Sequence, residues 1–176
     1  PPPASQHSFP TRRSSDLQGK DVPLIAMAHG IPYVATATVA DLRDLERKVE
    51  KAMSIHGARY IHIFVPCPLG WGAPSGKTVE IARLAAETGL FPVFEAEYGE
   101  VTHARKIRRL RPVEDYLKMQ KRFAHLFGKK GDPATVARIQ AVADRNIERF
   151  GLLDGEEDKE MIIPVPAQAD ARTQAR

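Results

Sequence analysis

Residues 59–72 read RYIHIFVPCPLGWG, an apolar, β-branched and aromatic run that stops at a proline-cysteine-proline loop. The run Arg59–Val65 shows no clean alternation of apolar and polar side chains. That pattern predicts a strand buried on both faces, as in a parallel sheet. Pro66 and Pro68 restrict the backbone on either side of Cys67, so residues 66–72 read as a rigid loop just past the C-terminal end of the strand. In α/β sheets, sites collect at that edge.

Outward from this stretch, the chain alternates strands and helices. Asp21 is placed to cap a short helix, with Pro23 in its first turn and Gly30 closing it. Tyr33–Ala37 reads as a strand. A helix from about Val39 to His56 carries Leu42, Leu45, Val49, Ala52 and Met53 on one face with a 3.6-residue period, and Gly57 ends it. Downstream, a helix from roughly Lys77 to Thr88 stops at Gly89, and Phe91–Tyr98 reads as another strand. This order predicts an α/β three-layer sandwich with right-handed crossovers.

Beyond Gly99 the character changes. Val101–Leu110 is extended and basic, of unsettled type. Pro112 opens a helix with Val113, Tyr116, Leu117, Gln120, Phe123 and Phe127 on one face, and Asp132-Pro133 opens a last helix through about Phe150. From Gly151 on, the acidic run Glu156-Glu157-Asp158 and an Ala/Gln-rich end read as a solvated, flexible tail.

The 176 residues are 43% hydrophobic and 27% charged, which suits a globular domain with a real core. No apolar run approaches the roughly 20 residues of a membrane helix, and no secretory signal is visible. The single cysteine excludes an internal disulfide and fits a reducing, cytoplasmic setting. The leader PPPASQHSFPTRRSSDL has no helical or strand period and reads as disordered. Its part SFPTRRSSDL resembles the translation of a sequencing adapter; the plain alternative is a genuine floppy tail. The expected division is a non-native or disordered leader 1–17, an α/β domain 18–99, a basic, mainly helical extension 100–150 and a tail 151–176.

Taken together, three segments resemble one family: KDVPLIAMAHGIPYVATA (20–37), VPCPLGW (65–71) with TVEIARLAAETGLFPVFE (78–95), and RPVEDYLKMQKRFAHLF (111–127). They are similar to the beta subunit of the 2-oxoacid:ferredoxin oxidoreductases, most of all the pyruvate type. The resemblance covers about residues 19–150 and is specific as a set. It implies the C-terminal part of a thiamine diphosphate-binding α/β fold. It also implies oxidative decarboxylation of pyruvate to acetyl-coenzyme A, with electrons passing through iron–sulfur clusters to ferredoxin. The implied partners are the other oxidoreductase subunits, ferredoxin, pyruvate and coenzyme A, with no nucleic acid and no membrane. In that chemistry the cofactor does the carbon work and the protein orients it.

The chain also departs from the family. Its Gly-Asp-Gly motif with a following Asn, which holds the diphosphate and magnesium, is absent, and so is its Cys-x-x-Cys pair. The only Asp-Gly is Asp154-Gly155, in the acidic stretch. Catalytic and thiamine-binding residues are therefore expected outside this chain, which reads as a truncated subunit.

Cys67 is the site candidate. In the family, a cysteine in this loop supplies one thiolate to a four-iron four-sulfur cluster. Soft thiolates suit such clusters, and Trp71 is placed to shield one from water. The plain alternative is a buried structural cysteine. His29 reads as a helix cap and His62 as a core histidine; His56, His103 and His125 show no metal-ligand spacing, and His7 falls in the leader. Glu95 and Glu97 share a strand face, but nothing else marks a hydrolase. The aromatic face Tyr116, Phe123 and Phe127 reads as packing.

Three rival readings remain: an enzyme for another 2-oxoacid such as 2-oxoisovalerate, a non-catalytic homologous subunit, and a nucleic-acid module. The last rests on the basic run 105–111, which lacks interleaved aromatics. Deleting residues 1–17 is expected to leave the thermal midpoint of the chain unchanged. A drop of several degrees in a melting experiment, roughly 1 kcal/mol for a domain of this size, would show that the leader packs on the fold.

Overall fold

The fold is described from a computed structural model, for residues 19–129 and 131–153. The leader 1–17, His7, Asp154-Gly155, the acidic run and the rest of the tail lie outside the described residues. Helix α1 (Val22–Ala28) starts where expected, with the Asp21 carboxylate accepting the Leu24 N–H at 3.2 Å. It leads into β1 (Tyr33–Thr38), helix α2 (Leu42–Ser54) and β2 (Arg59–Phe64). A short turn of helix, α3 (Pro68–Trp71), and α4 (Thr78–Glu87) follow. Strands β3 (Phe94–Glu97) and β4 (Glu100–Ala104) form a hairpin, and α5 (Val113–Lys118) and α6 (Pro133–Arg149) complete the elements, with a 3-10 turn at Lys121–Leu126 between them.

The four strands form one mixed sheet in the order β2-β1-β3-β4. The β1-α2-β2 unit is parallel as predicted, with Tyr33 opposite Arg59 and Thr38 opposite Phe64. The parallel expectation fails at β3, which runs antiparallel to β1. Helix α4 packs on α5 instead of crossing back over the sheet. The chain therefore re-enters beside the C-terminal half of β1, where the Thr36 hydroxyl donates to the Pro92 carbonyl at 2.7 Å and accepts the Phe94 N–H at 2.9 Å. From there it runs antiparallel, Ala35 facing Glu95 and Tyr33 facing Glu97. The basic segment after Gly99 then begins as β4, joined to β3 by a tight turn in which Tyr98 (φ 51°) and Gly99 (φ 90°) both take left-handed angles. Such a turn matches the twist of the strands it joins.

Burial corrects two sequence expectations. The strand buried on both faces is β1, all six of whose residues are buried, not β2. Among the described residues β2 pairs on one side only, leaving Ile63 and Val65 exposed. On α2, only Ala52 of the apolar stripe is buried: Leu42 is 65% and Met53 72% exposed, Val49 is exposed too, and Leu45 is half-exposed. The helix instead turns Lys48 and Ala52 to the sheet.

What lies beneath α2 explains this rotation. Tyr33, Ala35, Glu95 and Glu97 share that sheet face, and Glu95 is only 1% exposed. A carboxylate there needs partners. It accepts from the Tyr33 hydroxyl at 2.9 Å and from Lys51 Nζ at 3.1 Å, and Arg47 lies at 2.7 Å from Oε1, although off the axis of a directed hydrogen bond. Lys48, equally buried, donates to the Thr36 carbonyl at 2.8 Å and to Asp44 at 2.6 Å. Burial pushes the Lys48 ammonium down, against Asp44. Burial likewise pushes the Tyr33 hydroxyl up, and Glu95 adds to it.

On the opposite face, Val34, Phe94 and Ala96 pack under α1 and the end of α6. Phe150 stacks on Phe94 at 4.7 Å, and Leu152 is buried in the same cluster, so the chain is held past Gly151, where the tail was expected to begin. A second cluster joins α4, α5 and α6 through Ile81, Leu117 and Ala143. Gly89 lets α6 approach: a Cβ there would sit 2.6 Å from Ile147. The helix expected from Pro112 onward breaks after α5, because the Gln120 side chain turns back to donate to the Tyr116 carbonyl at 2.8 Å.

Burial alone would raise the Glu95 carboxyl, but the Arg47 and Lys51 cations and the Tyr33 hydroxyl outweigh it and hold it at about 2 against an ordinary 4.5. A depressed carboxylate contributes stability that is fully present above the unfolded value and is lost as pH falls through the folded one. Urea unfolding of the native chain should therefore weaken between pH 4.5 and about 2. Glu95→Gln should remove that dependence and cost about 2 kcal/mol at pH 7, less than a fully buried pair because Arg47 and Lys51 reach water. A variant with unchanged stability and the same acid profile would show that the network does not hold α2.

Candidate functional site

The loop after β2 presents Cys67 to solvent. The cysteine is exposed and free, which removes the alternative of a buried structural thiol. It stands at the N-cap of α3, where its Sγ accepts the Gly70 N–H at 3.4 Å and its carbonyl accepts the Trp71 N–H at 3.0 Å. Gly72 ends this turn at φ 63°, a left-handed conformation that glycine adopts without strain. The Trp71 ring leans on Phe64 at 5.8 Å, and Phe64 on Phe91 at 4.9 Å. Leu69, at the tip, is 96% exposed.

This arrangement fits a single soft ligand. The thiol is accessible, the loop is braced by prolines and aromatic rings, and an amide already points at the sulfur, an interaction that tunes thiolate-bound clusters. Among the described residues no group of three or more His, Cys, Asp or Glu could hold a metal ion.

The other sequence candidates scatter. His29 caps α1, as expected. His62 is not a core histidine but lies exposed on the β2 edge, with its ring edge-on to Phe91 at 5.5 Å. His56, His103 and His125 are exposed and apart. Glu95 and Glu97 do share a face, yet they serve the ion network under α2, where Lys51 reaches Glu97 at 2.8 Å. Tyr116 is buried packing; Phe123 and Phe127 are half-buried.

The basic run is only partly free. Arg105 pairs with Asp41 at 2.9 Å, Lys106 donates to the Gly151 carbonyl at 2.7 Å, and Arg111 pairs with Asp115 at 2.6 Å. Arg108 and Arg109 have no such partner among the described residues. Sequence reasoning missed Arg122, whose guanidinium lies 3.9 Å from the centre of the Trp71 ring. Counted by composition it was one more surface cation, and no local pattern links two residues so far apart.

No family model matches the chain. Among curated proteins, pyruvate synthase subunit PorB of Methanosarcina barkeri is 50% identical over 150 residues, covering 85% of this chain and 49% of that protein. The PorB subunit of Methanocaldococcus jannaschii is 46% identical over 140 residues, covering 80% of this chain and 45% of that protein. Ketoisovalerate oxidoreductase subunit VorB of Pyrococcus abyssi is 47% identical over a shorter stretch of 104 residues, covering 58% of this chain and 33% of that protein. The chain thus spans about half the length of the PorB proteins it matches. Identity at this level, sustained over most of the chain, makes it a homologue of the PorB subunits of pyruvate synthase.

Proposed function

We propose that this chain is the C-terminal half of the beta subunit of a pyruvate:ferredoxin oxidoreductase, a cytoplasmic hetero-oligomer that converts pyruvate and coenzyme A to acetyl-coenzyme A. The observation that carries this reading is the 50% identity to a PorB subunit over 150 residues. The α2-covered mixed sheet is then part of a larger thiamine diphosphate-binding α/β domain. The free edge of β2 and the exposed stripe Leu42, Val49 and Met53 are the surfaces on which more of the subunit, or a neighbouring one, packs. Thiamine diphosphate and magnesium are held by residues beyond those described. Alone, the chain is inactive.

In this reading Cys67 supplies one thiolate to a four-iron four-sulfur cluster, whose other ligands lie elsewhere in the assembly. Such a cluster, when bound, carries single electrons toward ferredoxin. The chain's own part is to hold the thiol at the sheet edge, to donate the Gly70 N–H to its sulfur, and to pack Trp71 beside it. Arg108 and Arg109 add positive charge that steers ferredoxin, an acidic protein, by raising the association rate. The second reading, a ketoisovalerate oxidoreductase, is favoured by the 47% identity to a VorB subunit, and substrate assays of the assembled enzyme separate the two.

In the assembled enzyme, Cys67→Ser is expected to lower the iron content by about one cluster and remove its reduced-state resonance signal while thiamine stays bound. Unchanged iron would return Cys67 to a purely structural part. Replacing Arg108 and Arg109 with Gln should slow ferredoxin reduction at low ionic strength and flatten its salt dependence, leaving a small uncharged dye unaffected. Equal slowing with both acceptors would rule out steering.

A further inference from the structure

We infer that Arg122 is a positioning residue for the Cys67 loop, clamping it through Trp71. Its relevance to a cluster rests on the reading of Cys67 as a ligand; the clamp itself does not.

The geometry is convergent. The Arg122 guanidinium lies 3.9 Å from the centre of the Trp71 ring and 4.6 Å from that of Phe123. It is held in plane by its neighbours: Nε donates to Gln120 Oε1 at 2.9 Å, and NH2 donates to the Tyr116 hydroxyl at 3.4 Å. Gln120, only 1% exposed, is in turn anchored on the Tyr116 carbonyl at 2.8 Å. Arg122 forms no ion pair with a carboxylate among the described residues, so its polar contacts serve to orient a flat cation against a ring. A planar guanidinium stacks in this way and an ammonium does not.

The backbone joins in at the same place. The Lys121 N–H donates to the Gly72 carbonyl at 3.4 Å, and a Cβ on Gly72 would sit 2.8 Å from the Lys121 Cβ. Gly72 thus permits the approach that Arg122 then locks. Held by both Phe64 and Arg122, Trp71 anchors α3, and Cys67 is the N-cap of α3. The turn Lys121–Leu126 therefore braces the loop that presents the thiol.

The chain holds one tryptophan and one cysteine, both in this loop, so two spectroscopic probes read it without ambiguity. The test compares the 176-residue chain with Arg122→Leu, Arg122→Lys and, as a control remote from the loop, Arg109→Leu. Trp71 fluorescence quenching by acrylamide and the lineshape of a nitroxide on Cys67 are measured, with circular dichroism checking the fold. Arg122→Leu should raise the mobile fraction of the label about fivefold, the population shift that losing one such stack permits, and make Trp71 easier to quench. Arg122→Lys should not restore the native signals, and Arg109→Leu should leave them unchanged. If Arg122→Leu loses its helical signal, Arg122→Lys decides alone. Native quenching and lineshape in the folded variants overturn the clamp.

A further arm places Arg122→Leu in the intact oxidoreductase and follows cluster loss to a chelator and bound thiamine. Faster cluster loss with thiamine retained is expected. A loop loosened in the chain but a cluster lost at the native rate would sink the ligand role of Cys67 and leave the clamp standing.

Discussion

The architecture turns on a carboxylate buried in the sheet. Glu95 sits on β3 under α2, and its charge is kept by Tyr33 from β1 and by Arg47 and Lys51 from the helix above. Uncompensated, such a group would be expelled or neutralised; compensated, it dictates which face of α2 turns inward. The helix accordingly turns Lys48 to the sheet beside Ala52 and leaves Leu42, Val49 and Met53 to solvent, so its inward face is rotated from the one its periodicity suggests. Lys48, Asp44 and Thr36 extend the same network along β1.

That rotation matters for how the molecule is built up. A helix that satisfies the sheet with charge leaves Leu42, Val49 and Met53 outside, next to a β2 strand that pairs on one side only among the described residues. Both are surfaces of the kind that further subunit mass covers, in keeping with a chain that spans about half of its PorB relatives. On the opposite face, α1 and the end of α6 pack over Val34, Phe94 and Ala96, and Leu152 is buried with them.

The loop carrying Cys67 depends on residues well separated along the chain. Phe64 and Phe91 form its floor, Trp71 rests on them, and Arg122 covers the ring from the segment beyond the sheet. The α/β part and the basic extension are thereby tied at the one place where an accessible thiol is offered. Part of the basic charge is spent on internal contacts, as with Arg105, Lys106 and Arg111, so counting cations overstates the positive surface.

The sequence by itself determined the local elements whose causes are local. Asp21 and Asp132 cap helices because a short carboxylate reaches amides three residues on; Gly30 and Gly89 follow helix ends because their backbone angles are left-handed. The motif loop at Cys67 and its place past a strand end were equally legible, since prolines act on their neighbours alone. What only the tertiary structure decided are the relations between distant residues. The reversed direction of β3, the exposure of β2, the polar inward face of α2 and the Arg122–Trp71 stack all depend on which surfaces meet. Hydrophobic period cannot report this, because a buried ion pair and a buried apolar contact both satisfy the same helix face, and only the group lying opposite chooses between them.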